Sequence, residues 1–372
     1  MIPPSQGADG GTVAPLPEMV EVSTPEGARL AAQTVDARQR HARKLLEVRD
    51  LSTRFFTPGG VVHAVDEVNL ELDYGETLGL VGESGSGKSV TALSIARLVA
   101  EPPGRIVGGE VIFDGIDVLG LSNEEMRLLR GRRIGFVFQD PMTSLNPTMP
   151  VGRQIAESAR AHLGLSRRAA AARAADLLAT VGIPRPKDRL GDYPHQFSGG
   201  MRQRVMIAIA LACQPMLLIA DEPTTALDVT VQAQIMELLR SLSREFRTAI
   251  ILITHDLGIA AGMCQRVSVM YAGRIVETGL VDDIFERPRM PYTRALLDSR
   301  PRVDLEPGGR LPTIEGFPPD LVDPDPACRF APRCAHRREV CLEREPGMTP
   351  RPFHGEGHAA RCWGTEPGGW IP

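Results

Sequence analysis

The chain has 372 residues, 42% of them hydrophobic and 24% charged, with a formal net charge of −4 and a pI near 6.1. That balance suits a globular protein of two or three domains, and it offers neither a basic field nor a long basic run, so no nucleic acid partner is expected. No run of about 18 apolar residues is present to span a bilayer, and the first residues lack a signal peptide's charged start and apolar core. A cytoplasmic chain is therefore expected, whose six cysteines read as thiols or metal ligands instead of disulfides.

Met1 to about Arg43 mixes Gly, Pro, Ala and charge without a sustained period, which predicts a flexible tail with no assigned function. Leu46 to Phe55 and Val61 to Leu72 are strand-like and flank Thr57-Pro58-Gly59-Gly60, a turn, so an antiparallel hairpin is expected. At its end Phe55 or Phe56 offers a π-face to an adenine ring; Phe55 is the candidate, and a core role for both is the alternative. Next, between the apolar run Thr77 to Val81 and a helix-like run from Lys88 to Ala100, lies Gly82-Glu83-Ser84-Gly85-Ser86-Gly87-Lys88-Ser89. This is the P-loop pattern G-x-x-x-x-G-K-[ST], flanked by the strand and helix it requires. Its glycines let successive N–H groups point at one concavity. Lys88 reaches the β- and γ-phosphates, Ser89 ligates Mg²⁺, and the helix start adds unpaired N–H groups. The candidate ATP-binding stretch is thus Gly82 to Ser89, extended to Val90.

Glu110 to Phe113 reads as a short strand, and Ile134 to Phe138 as a buried one that places Gln139 at its C-terminal edge, where ligands of open α/β sheets sit. From Pro141 to Phe197 the pattern is helical, with Ser166 capping an Ala-rich run that closes at Gly182 and Pro184. Ser198-Gly199-Gly200-Met201-Arg202-Gln203-Arg204 leads into a helix over Val205 to Ala212; it is either a second anion-binding helix start or an N-cap serine alone. Met216 to Ala220 is an apolar strand ending in Asp221-Glu222, paired carboxylates that call for a cation or a proton transfer. Ala249 to Thr254 is a further buried strand followed by His255, and Val267 to Tyr271 with Arg274 to Glu277 make a terminal hairpin. Cys213 and Cys264 sit in apolar helical patterns as packed thiols.

In this order and at these separations, the motifs over about Leu45 to Pro291 resemble the ATPase subunit of ABC transporters. Gly82 to Ser89 is similar to Walker A, Leu217 to Asp221 with Glu222 to Walker B, Ser198 to Met201 to the signature, Leu227-Asp228 to the D-loop and His255 to the switch histidine. The wording at 82–91, 138–147 and 198–204 resembles the dipeptide/oligopeptide permease branch, which includes some nickel and glutathione importers. Met201 replaces the Gln most relatives carry and is common in this branch. The resemblance implies an α/β fold: a RecA-like P-loop ATPase core over 44–290 with an antiparallel β subdomain and an inserted helical subdomain over about 141–197. A small Cys-containing extension follows over 291–372.

The resemblance also implies ATP and Mg²⁺ as cofactors and a head-to-tail dimer with a second ATPase subunit, whose Ser-Gly-Gly helix start completes each nucleotide. Lys88 neutralises phosphate, Mg²⁺ is held through Ser89, Gln139 and Asp221, Glu222 is the general base, and Gln139 and His255 sense the γ-phosphate. Two transmembrane permease subunits contact the helical insertion, and an extracytoplasmic solute-binding protein selects the cargo. The chain is then peripheral on the cytoplasmic face of the membrane. A soluble ABC ATPase acting on DNA or ribosomes is the rival, but it needs a long coiled-coil insertion or a second core, and neither is present.

Past Pro291 a short helix over Pro291 to Leu297 and an extended stretch over Leu311 to Pro326 are expected. Cys328, Cys334, Cys341 and Cys362 follow with the spacing C-x₅-C-x₆-C-x₂₀-C. Four thiolates in a segment with few apolar residues suggest a metal cross-link. The C-x₂₋₄-C knuckles of zinc fingers are missing, so a [4Fe–4S] cluster is preferred to Zn²⁺, while His336, His354 and His358 keep a mixed Cys/His zinc site open.

Overall fold

The computed structural model describes residues 44–225, 227–299, 313–350, 357–366 and 368–371. The expected tail 1–43, Leu311 and His354 lie outside the described residues. Two compact units are formed, one of 44–122 with 249–371 and one of 123–248.

The first unit opens with the expected hairpin, β1 (Lys44–Thr57) and β2 (Gly60–Asp73), turning at Pro58-Gly59. β3 (Thr77–Val81) is buried at every position. It lies between two parallel neighbours, which is why its sequence is a continuous apolar run instead of an alternation. The helix α1 begins at Lys88 as expected but ends at Ile95, not Ala100. Arg97 takes a left-handed φ of 50°, a conformation that stops an α-helix, and its guanidinium donates to the carbonyls of Leu121 and Val118. β4 (Gly104–Phe113) is longer than its apolar end suggests, because Gly104, Arg105 and Ile106 pair with Phe55, Arg54 and Thr53. With β5 (Ile116–Asp117) it completes an antiparallel sheet of order β2-β1-β4-β5.

The second unit holds α2 (Asn123–Leu129), β6 (Ile134–Val137), α3 (Pro141–Ser144), α4 (Val151–Leu163) and α5 (Arg167–Thr180). Ser166 caps α5, accepting from the N–H of Ala169, and Ala170, Ala174, Leu177 and Leu178 form its buried stripe at helical spacing. α6 (Gly199–Ala210), β7 (Leu217–Asp221) and α7 (Val229–Phe246) follow. β6 and β7 are parallel, with Val137 opposite Ala220.

The chain then returns to the first unit through β8 (Ala249–Thr254), α8 (Leu257–Met263), β9 (Arg266–Tyr271), β10 (Arg274–Leu280), α9 (Val281–Glu286) and α10 (Pro291–Asp298). α11 (Glu339–Glu343), β11 (Thr349–Pro350) and β12 (Ala359–Ala360) close it. Its second sheet runs β11-β12-β10-β9-β3-β8. The extension's two short strands thereby cover the β10 edge. Among the described residues no helix is long and apolar enough to cross a membrane.

Candidate nucleotide-binding and hydrolysis site

In the first unit the P-loop leaves the end of β3 and closes at once on α1. Gly82 has φ +153° and a Cβ there would lie 2.1 Å from the Met270 carbonyl oxygen; at Gly87, φ +105°, it would lie 2.4 Å from that of Ala64. Only glycine fits either position. Lys88 is 4% exposed. Its Nζ turns back over the loop and donates to the carbonyls of Gly82 (2.9 Å) and Glu83 (2.8 Å), so a cation stands over the concavity formed by the loop. Ser84 and Gly85 face solvent, Ser86 is buried, and Ser89 and Val90 are half-buried in the first turn of α1. His255 is exposed immediately after β8, where Asp256 caps α8 by accepting from Gly258 and Ile259. The two candidate aromatics differ: Phe55 is half-buried with its ring edge near Gly104, and Phe56 is 51% exposed.

The second unit carries the carboxylates. Gln139 and Glu222 each stand two residues beyond the paired Val137 and Ala220, so the parallel register brings them to the same height. Gln139 Nε2 donates to Glu222 Oε2 at 3.0 Å, and Thr225 Oγ1 donates to the same oxygen at 2.8 Å. Glu222 has φ +42°, a left-handed conformation costing about 1 kcal/mol or more in a non-glycine residue, and this strained turn re-aims its carboxylate as the chain leaves β7. Asp221, 6% exposed, ends the strand beside it. Thr225 was not foreseen, since a lone threonine after Pro223 carries no signal of its own.

Ser198 caps α6, accepting from the N–H of Met201 at 3.4 Å, and the helix begins on the glycines themselves, ahead of the expected Val205. Ser198 and Gly199 are exposed while Gly200 and Met201 are half-buried. At Gly200 a Cβ would come within 2.6 Å of a Val231 methyl, so any larger residue there must displace Val231. Leu227 is half-buried, and Asp228 caps α7 through the Val231 N–H at 2.9 Å.

The extension is tied to the rest of its unit by side chains of which sequence reasoning singled out only Glu83 and His358, and those for other roles. Arg329 donates to Asp66 and to the Ala272 carbonyl, and Arg333 pairs with Glu83 of the P-loop. Glu277, fully buried, accepts from the N–H groups of Arg289 and Met290 and bonds His358 Nε2 at 2.8 Å. His358 is therefore engaged as a structural partner of Glu277. Cys328, Cys334, Cys341 and Cys362 do line one small cavity together with His336. Among the described residues, however, no group of three or more His, Cys, Asp or Glu is placed to hold a metal ion. That arrangement lends support to neither the expected cluster nor the zinc alternative. Burial pushes the Cys328 thiol up to about 12 and raises those of Cys334 and Cys362, so in this setting they stay protonated without a nearby cation. Cys213 and Cys264 are buried as expected, their thiols pushed by burial up to about 11 and about 12.

The model of the ABC transporter family matches residues 65–225, and that of the oligopeptide/dipeptide transporter C-terminal region matches residues 276–341. The oligopeptide transport ATP-binding protein of Bacillus subtilis is 55% identical over 305 residues, 82% of this chain and 85% of the relative. The dipeptide transport ATP-binding protein of the same organism is 50% identical over 86% of this chain and 94% of the relative. Among solved structures, a dimeric ATP-binding cassette in a post-hydrolysis state with ADP and Pi superposes with a TM-score of 0.58 at 28% identity, covering 63% of this chain and 98% of the other. The fold is that of the ABC cassette. Because these likenesses extend through the cassette and the extension alike, the chain belongs to the ATP-binding subunits of ABC transporters, in the oligopeptide/dipeptide branch.

Proposed function

We propose that this chain is the ATP-hydrolysing subunit of an importer that energises uptake of di- and oligopeptides across the cytoplasmic membrane. The observation that carries hydrolysis is the Glu222 carboxylate, held by Gln139 and Thr225 at the end of β7 beside Asp221. Its lone pairs suit a general base, and Gln139 suits a sensor that shifts when phosphate occupies the edge. In the first unit Lys88 and the loop Gly82 to Val90, through N–H groups other than that of Glu83, take the phosphates, Phe55 stacks on adenine, and His255 orients the attacking water. The donor types suit Mg²⁺ in each unit by itself: in the first, Ser89 offers a hydroxyl at the start of α1, and in the second, Asp221 offers a nearly buried carboxylate at a strand end with Gln139 following β6. When bound, the ion neutralises phosphate charge.

Ser198, Gly199, Gly200 and Met201 serve the nucleotide of a second ATPase subunit packed head to tail, with Leu227 and Asp228 at the same contact. Two permease subunits and a solute-binding protein complete the assembly, which places the chain at the cytoplasmic face of the membrane. Nickel, glutathione or another small solute is the alternative cargo, and solute uptake by cells lacking this chain distinguishes them. A [4Fe–4S] cluster in the extension rests on the spacing of the four cysteines in the sequence; iron and acid-labile sulfide in anaerobically purified protein test it.

Glu222→Gln tests the base. ATP affinity should stay within about twofold while phosphate release falls at least about 100-fold. Turnover that survives the change would reassign the base.

A further inference from the structure

Resting on the reading of Gly82 to Val90 as the ATP site, we propose that Arg333 of the C-terminal extension is a positioning residue of that site, acting through Glu83. Glu83 is an anomaly in a loop built to receive an anion, because its carboxylate stands one residue from the first P-loop glycine and repels phosphate. Arg333 cancels that charge with a fork: Nη1 donates to Glu83 Oε2 at 2.7 Å and Nη2 to Oε1 at 3.0 Å. Planar bidentate pairing fixes direction as well as charge. The guanidinium is itself immobilised, its side chain only 4% exposed, with Nε donating to the Glu315 carbonyl at 3.0 Å and Nη2 to that of Ile314 at 3.2 Å.

The backbone of Glu83 is held from the same side. Its N–H donates to the Tyr292 hydroxyl at 2.8 Å, and Tyr292 is fully buried in a cluster with Tyr271 and Phe330 at centroid distances of 4.5 and 5.4 Å. The Glu83 carbonyl takes Lys88 Nζ. Thus the carboxylate, the N–H and the carbonyl of this one loop residue are all engaged, two of them by residues C-terminal to β10. Glu83 is pulled away from the phosphate concavity, and the loop is set before nucleotide arrives. Arg333 acts on the loop read as receiving phosphate and not on the proposed general base, so its effect falls on affinity and not on the chemical step.

The test is equilibrium titration of the full chain with MgATP, together with kcat and KM, for the wild type, Arg333→Gln, Arg333→Lys, Glu83→Gln and the Arg333→Gln/Glu83→Gln pair. Arg333→Gln should weaken MgATP about tenfold with kcat changed less than about twofold, since loss of a charge-assisted fork is worth about that factor. Removing the stranded carboxylate should restore it, bringing the double variant within about threefold of wild type, and Arg333→Lys, which keeps the charge, should fall between. A role in stability alone predicts the opposite order, with the double variant no better than Arg333→Gln. That outcome, or an unchanged affinity in Arg333→Gln, overturns the proposal. Should Arg333→Gln fail to fold, Arg333→Lys decides: wild-type affinity in a folded lysine variant overturns the positioning role of the fork. A wild-type chain that binds no MgATP refutes the ATP reading itself.

Discussion

The P-loop and the cysteine-bearing extension belong to the same unit but are held in opposite ways. The loop is fixed by close backbone packing: a strand wholly buried between parallel partners, glycines whose missing Cβ atoms make room for Met270 and Ala64, and a lysine folded over its own loop. The extension is fixed by a few long-range polar contacts, Arg329 with Asp66, Arg333 with Glu83 and His358 with Glu277, that span 263, 250 and 81 residues of chain. Local backbone geometry tolerates almost no substitution, whereas distant ion pairs detach one at a time. Damage to the first should be all or none, and damage to the second graded.

The largest effect expected is from Gly82→Ala, where the new methyl would meet the Met270 carbonyl at 2.1 Å on a backbone that L-residues rarely adopt. A loss of about 3 kcal/mol in denaturant unfolding, with MgATP binding lost as well, is expected; unaltered binding would show the loop to be softer than its geometry. His358→Ala should cost roughly 2 kcal/mol by leaving a buried carboxylate short of one partner. It should also speed proteolysis of the extension before the cassette is cut. Acid gives the smallest and most gradual effect. Burial alone would raise the Asp66 carboxyl, but hydrogen bonds from Arg54 and Arg274 and the charge of Arg329 outweigh it and hold the group well below the usual carboxylate range. A carboxyl depressed in the folded state contributes stability that is complete above its unfolded value, near 4, and is lost as pH falls below it. Unfolding free energy should therefore decline below about pH 4, and Asp66→Asn should flatten that part of the curve.

Much of the site was legible. The bounds of β3 and β8 follow from uninterrupted apolar runs, and the starts of α1 and α5 from Lys88 after a glycine turn and from the Ser166 cap. Elements that depend on a partner were not legible in full. The first half of β4 is polar and glycine-rich and becomes strand only because β1 pairs with it. α1 ends early because Arg97 turns left-handed and its guanidinium finds the carbonyls of Val118 and Leu121. The sequence keeps His358 open as a zinc ligand because histidine near cysteines suggests metal, yet Glu277, 81 residues earlier, bonds its ring.

What the sequence determined by itself is the chemistry of contiguous motifs: the phosphate loop, the paired carboxylates after β7 and the Ser-Gly-Gly helix start. In each, the residues that act are also those that shape the local backbone. Only the tertiary structure decided that Gln139 and Thr225 share one oxygen of Glu222, that Arg333 and Tyr292 hold Glu83, and that four cysteines meet at one cavity without forming an ion's ligand set. Strand register and long-range charge pairing set those contacts, and neither leaves a periodicity in the chain.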